Sequence, residues 1–195
     1  MKALLFPGQG VQKIGMLDEI ISSNSEIHDF LAKASEGLDF DLIKLIASGP
    51  EEKLNLTEYA QPAILASSIA IIRAKKLNSN ITVTAGLSLG EYSALVYANC
   101  LKFSDALKLV NVRGRLMQNA VPEGTAGMLV ILNMDLNEVY KMIDSVNSSG
   151  EEINFSTDNA EGVSVLAGKN SSIDACKKYI EAVSYTHLRA HETCH

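Results

Sequence analysis

Short apolar runs alternate along this chain with longer stretches of helical spacing. Residues 3–6 predict a short buried strand, and the loop 7–10 behind it is rich in turn formers. Helical spacing follows over 14–21, 26–35 and 42–47 before Gly49-Pro50 breaks the pattern. A short helix is expected over 51–54. Pro62 suits the first position of a helix running to residue 77. Its 63–72 stretch is apolar or small almost all round, as expected of a helix buried in a sizeable core. Residues 81–85 predict a strand, 90–98 a helix and 104–120 another. Helices between widely spaced short strands indicate an α/β parallel-sheet core.

The pattern changes near Pro122-Glu123-Gly124. Beyond it the predicted order is strand (127–132), helix (136–145), strand (153–156), strand (163–167) and helix (171–181). This β-α-β-β-α order is a ferredoxin-like unit missing its last strand. The segment 184–195 lacks strand alternation and holds three of the four histidines, His187, His191 and His195. It reads as translated cloning or adaptor sequence, and the expected divisions are 1–124, 125–183 and a non-native tail at 184–195. His187 and His191 stand four apart, but an appended tail accounts for them without a metal.

Composition narrows the classes. With 195 residues, 47% hydrophobic and 21% charged, the chain reads as a soluble globular protein. No apolar run approaches the roughly 20 residues of a membrane span, and the N-terminal run is too short for a signal core. A cytoplasmic location is the expectation. The net charge of −6 argues against general nucleic-acid binding. Cys100, Cys176 and Cys194 have no metal-ligand spacing and suggest no disulfide framework.

Chemistry concentrates at Gly86-Leu87-Ser88-Leu89-Gly90, between a predicted strand and a predicted helix. A serine at such a turn has its hydroxyl pushed outward beside unpaired helix N–H groups, which suit a developing oxyanion. On a wheel of 104–120, Phe103, Ala106, Val110 and Met117 share an arc, with Lys108 and Arg115 opposite. Arg113 falls inside the apolar arc, between Leu109 and Met117. Such an arginine snorkels, pairs with a carboxylate or awaits an anionic ligand. Beside a nucleophilic serine, a substrate carboxylate bound bidentately becomes the better candidate. Gln9 follows the first strand, where α/β sheets bind ligands, and could give a side-chain N–H to a carbonyl. Gln61 stands at a predicted helix start.

Phe6-Pro7-Gly8-Gln9-Gly10, Gln61-Pro62-Ala63, the Gly86 to Leu95 segment, Arg113-Gly114-Arg115-Leu116-Met117-Gln118 and Val121-Pro122-Glu123-Gly124-Thr125 occur in that order. Together they resemble the malonyl-coenzyme A:acyl carrier protein transacylases and the related acyltransferase domains of polyketide synthases, over roughly residues 1–182. The resemblance implies an α/β fold with a parallel-sheet, hydrolase-like large domain, incomplete here, and a ferredoxin-like small subdomain. It implies that Ser88 carries a malonyl ester. Gln9 and the backbone N–H of Leu89 would stabilise the oxyanion, and Arg113 would grip the malonyl carboxylate. Gln61 and Asn159 would line the substrate site. Malonyl-coenzyme A would be the donor and acyl carrier protein the acceptor, with no cofactor and no metal, in fatty acid synthesis.

Three positions depart from the family pattern. Leu87 stands where histidine is common, Val11 where serine is common, and nothing matches the family's general-base histidine. His28 lies in an early helix. The expectation is therefore a truncated copy of an active parent, itself nearly inactive and with apolar faces exposed. A serine esterase of α/β-hydrolase type explains Ser88 but not Arg113. A non-catalytic acyl- or carrier-binding module is the other alternative.

Overall fold

The computed structural model describes residues 1–77, 80–122 and 124–182, and the backbone of 189–193. The chain divides into two compact units, Met1–Ala120 and Val121–His195.

In the first unit, β1 (Lys2–Phe6) leads through α1 (Asp18–Ser23), α2 (Ser25–Ser35), α3 (Leu42–Ser48), α4 (Glu51–Asn55) and α5 (Thr57–Ala74) to β2 (Ile81–Gly86). The two strands pair in parallel, with Leu4 opposite Thr84 and Phe6 opposite Gly86. α6 (Leu89–Tyr97) and α7 (Phe103–Gln118) follow. Local chemistry sets several helix starts. The Asn24 side-chain Oδ1 accepts from the Glu26 N–H, and the Asp41 carboxylate from the Lys44 N–H. Leu31, Leu42, Leu54, Leu65, Leu89 and Leu107 are fully enclosed in one core. Each such side chain contributes about 1.5–3 kcal/mol over leaving it in water. Elsewhere apolar groups do face solvent: Leu5 is 72% and Leu116 68% exposed.

α5 departs from its expected start. It begins at Thr57, so Pro62 lies inside the helix rather than at its first position. Proline has no N–H to give to the Glu58 carbonyl four residues back. Asn111 on α7 supplies that donor through its side-chain amide at 3.0 Å. The two helices meet closely because position 114 is glycine. A Cβ there would stand 2.5 Å from the Thr57 carbonyl oxygen.

The second unit runs β3 (Ala126–Leu132), α8 (Leu136–Ser148), β4 (Ile153–Ala160), β5 (Val163–Lys169), α9 (Asn170–Ala182) and β6 (Arg189–Thr193). Its antiparallel sheet has the order β4-β5-β3-β6, covered by a core that includes Leu129, Ile131, Met142, Leu166 and Ile173. The expected missing strand is a correction. Arg189–Thr193 pairs antiparallel with β3, with Val130 opposite His191, and completes a β-α-β-β-α-β order. An edge strand is held by backbone hydrogen bonds to its neighbour, so it forms without the alternation that a search for strands looks for.

Candidate active site

The end of β1 and the turn after β2 are pressed together at backbone distance. The Leu87 N–H donates to the Phe6 carbonyl at 3.3 Å. Gly86 and Gly90 make the turn possible. A Cβ on Gly86 would lie 2.0 Å from the Gly90 carbonyl carbon, and one on Gly90 would lie 2.3 Å from the Phe6 oxygen. Between them Ser88 is held at φ 52°, ψ −106°, just ahead of α6. A positive φ costs a non-glycine residue roughly 1–3 kcal/mol, and the surrounding backbone contacts enforce it. The result is an exposed serine hydroxyl at a helix start. Buried Leu89 is the first residue of α6, where a backbone N–H has no partner within the helix.

Arg113 on α7 joins this turn to α5. Its Nη2 donates to Ser88 Oγ at 2.9 Å, and its Nη1 donates to Gln61 Oε1 at 2.7 Å. Gln61 is 1% exposed, and its Nε2 donates to the Met117 sulfur at 3.3 Å. With both ends engaged, the Gln61 amide holds its oxygen toward Arg113. The guanidinium also stands 5.6 Å from the ring centre of Tyr92 on α6. Arg113 thus presents a fixed positive charge beside the serine oxygen, and among the described residues no carboxylate pairs with it. Its neighbour Arg115 points elsewhere and pairs with Asp39 and Glu58, each at 3.4 Å.

The helix wheel agrees with the structure at Ala106 and Val110 but not around Arg113, which is half-buried at the edge of the inner face. The buried face of α7 is Ala106, Leu107, Val110, Asn111 and Gly114. Leu109 and Met117, which flank Arg113 on the predicted apolar arc, are each 47% exposed. A wheel ranks side chains by hydrophobicity. Here a polar Asn111 and a Gly114 face inward because α5 needs a donor and close approach. Gln9 has a partner within the protein: its side-chain Nε2 donates to Thr57 Oγ1 at 3.2 Å. Its backbone remains in a loop that lies over the turn, where a Cβ on Gly8 would stand 3.1 Å from the Leu87 oxygen.

Ser88, Gln61, Arg113, Leu89 and the Gln9 loop therefore belong to one unit. Asn159 belongs to the other, exposed at a register break of β4 against β5. His28, on α2, bonds to its neighbour Asp29 at 3.4 Å. The side chains of His187, His191 and His195 lie outside the described residues. Thr57, Tyr92, Met117 and Gln118 were missed by sequence reasoning. Thr57 carried a signal, since it stands four residues before Gln61 and so shares its helix face. Gln118 carried none. Among the described residues no group of three or more His, Cys, Asp or Glu side chains could hold a metal, and no helix is long and apolar enough to cross a membrane.

A strained serine at a strand-to-helix turn, with an arginine fixed beside it, is thus carried by an α/β unit. The chain belongs to the acyl transferase domain family, whose model matches residues 3–166. Malonyl CoA-acyl carrier protein transacylases are among its relatives. That of Staphylococcus aureus strain MSSA476 is 40% identical over 172 residues, which is 88% of this chain and 56% of the relative. That of Haemophilus influenzae is 43% identical over 175 residues, with the same coverage. The chain thus spans little more than half the length of these curated relatives. The solved transacylase of Clostridium perfringens superposes with a TM-score of 0.87 at 35% identity, covering 98% of this chain and 60% of that one. A type II polyketide-synthase acyl carrier protein in complex with its malonyl-transacylase gives 0.85 at 38% identity, covering 97% and 62%.

Proposed function

We propose that this chain carries the Ser88-bearing half of a malonyl transferase that loads acyl carrier protein for fatty acid synthesis. The observation that carries this reading is Arg113, held by Gln61 beside the Ser88 hydroxyl. Guanidinium matches a carboxylate bidentately, so an acyl group ending in one can sit with its thioester carbonyl at Ser88.

In the first half-reaction Ser88 Oγ attacks the thioester carbonyl carbon of malonyl-coenzyme A. The backbone N–H groups of Leu89 and Gln9 receive the oxyanion. The Oγ–carbon bond forms, the carbon–sulfur bond breaks, and coenzyme A leaves as its thiol with the proton that Ser88 gives up. In the second, the carrier's phosphopantetheine thiol attacks the Ser88 ester and the hydroxyl is regenerated. The thioester supplies the activated acyl group, so no cofactor enters the scheme. We place the reaction in the cytoplasm. Asn159 is assigned to the substrate site on family resemblance. Arg113 donates and cannot accept the Ser88 proton, so the acceptor is another group.

Imidazole added to the buffer can stand in for that acceptor. Intact-mass measurement with malonyl-coenzyme A plus imidazole should show one malonyl group on Ser88, and none on Ser88→Ala. Equal or faster labelling by acetyl-coenzyme A, or labelling away from Ser88, would overturn the reading.

A further inference from the structure

We infer that Thr57 is a positioning residue for the acyl-transfer step, acting through Gln9; the inference rests on the function proposed above. Thr57 is 5% exposed and is the first residue of α5. Its hydroxyl oxygen and its backbone N–H are both committed. Its Oγ1 accepts from the Gln9 side-chain amide at 3.2 Å, and its backbone N–H donates to Gln118 Oε1 at 3.2 Å.

Of the hydrogen bonds that cross between α5 and α7, two bear on the site. Gln118 holds the start of α5 at Thr57, and one turn further Gln61 holds Arg113. Gly114 lets the backbones close between them. Thr57 extends the first of these bonds out to the loop 7–10. Gly8 of that loop lies against Leu87, and its Gly10 N–H donates to the side chain of Gln12, which in turn donates to Asn55 on α4. The Gln9 backbone thereby takes its place from the same helix pair that places the arginine. The carboxylate end and the oxyanion end of a bound acyl group are set from one frame. A loop free of Thr57 would present the Gln9 N–H over a range of positions. An oxyanion donor acts through preorganisation, so this loosening falls on the bond-making step rather than on binding.

The experiment compares Thr57→Val, Thr57→Ser and wild type in the imidazole-assisted acylation of Ser88 over a range of malonyl-coenzyme A concentrations. Thr57→Val should lower the maximal rate roughly tenfold, the scale of one hydrogen bond, and leave the half-saturating concentration within about twofold. Thr57→Ser, which keeps the hydroxyl, should restore the rate. Amide exchange over residues 7–10 should speed up in Thr57→Val alone. Gln9→Ala combined with Thr57→Val should be no slower than either single change. A wild-type maximal rate in Thr57→Val, or a Thr57→Ser variant as slow as Thr57→Val, would overturn the inference. A wild-type protein that takes no malonyl group at all would instead sink the proposed function. The exchange comparison would then still decide whether Thr57 tethers the loop, and unchanged exchange would reject it.

Discussion

Arg113 stands 2.9 Å from the hydroxyl of Ser88 although 25 residues separate them in the chain. The pairing joins the strained turn before α6 to the far part of α7. It places a permanent cation beside the oxygen that the proposed reaction uses as its nucleophile. A guanidinium cannot take a proton, and in that proposal it binds and orients the anionic end of the acyl group.

Selectivity is the first consequence. Arg113→Ala should lower the ratio of malonyl to acetyl labelling of Ser88 by about 10- to 100-fold, the scale of a hydrogen bond to a charged group. Arg113→Lys should recover only part of it, because an ammonium lacks the planar fork. Competition between the two thioesters, read by intact mass, measures both. An unchanged ratio in Arg113→Ala removes the carboxylate role.

The turn itself should tolerate no side chain at position 90. A Cβ would stand 2.3 Å from the Phe6 oxygen and 2.9 Å from the Pro7 oxygen, and both are backbone atoms. Gly90→Ala should therefore cost about 3 kcal/mol or more in urea unfolding of the chain. A loss below about 1 kcal/mol would mean that β1 and α6 can separate at little cost.

In the second unit, Ser171 and Ser172 both donate to Glu151 Oε2, at 2.7 and 2.9 Å. These bonds hold the Glu151 carboxyl below its ordinary value of 4.5. The carboxylate is thus favoured by folding. Its contribution is complete above the ordinary value and is lost as pH falls through the lower folded one. Changing both serines to alanine should return the Glu151 titration, followed by carboxyl NMR, toward the ordinary value. It should also flatten the acid limb of stability. A titration unmoved by the double change would show another cause.

Cys176 is fully enclosed in the core of the same unit, and burial pushes its thiol from 9.0 up to about 11. The folded chain keeps that proton over a range where the unfolded chain has released it. Stability should therefore fall as pH rises from the ordinary value toward the raised one. At neutral pH, alkylation followed by peptide mapping should mark exposed Cys100 and spare Cys176 until denaturant is added. Equal rates at the two cysteines in the native protein would show that the unit opens readily.

The turn at Ser88 was legible because all its requirements are local. Two glycines, a serine, and a change from strand to helix period lie within a dozen residues, and sterics translate them directly into geometry. Gln61 and Arg113 were legible as members of ordered motifs, but their bond to each other was not. Hydrophobic periodicity put Ala106 and Val110 on the inner face of α7 but could not show Asn111 and Gly114 there, since these are inward for reasons of backbone pairing. Gln9 was legible as a site position, but its bond to Thr57 was not. β6 was passed over because an edge strand needs a neighbour's backbone more than a pattern of its own.

By itself the sequence determined the α/β class, the strained serine and the order of elements as far as α9, since each follows from spacing, sterics and turn chemistry along a short stretch of chain. Tertiary structure alone decided what the charges and amides near that serine do. Pro62 left a carbonyl that Asn111 fills, Gly114 brought α7 against α5, and this close approach set Arg113 between Gln61 and Ser88. Those contacts join residues tens of positions apart, and hydrogen-bond geometry over such separations is fixed only when whole helices have packed.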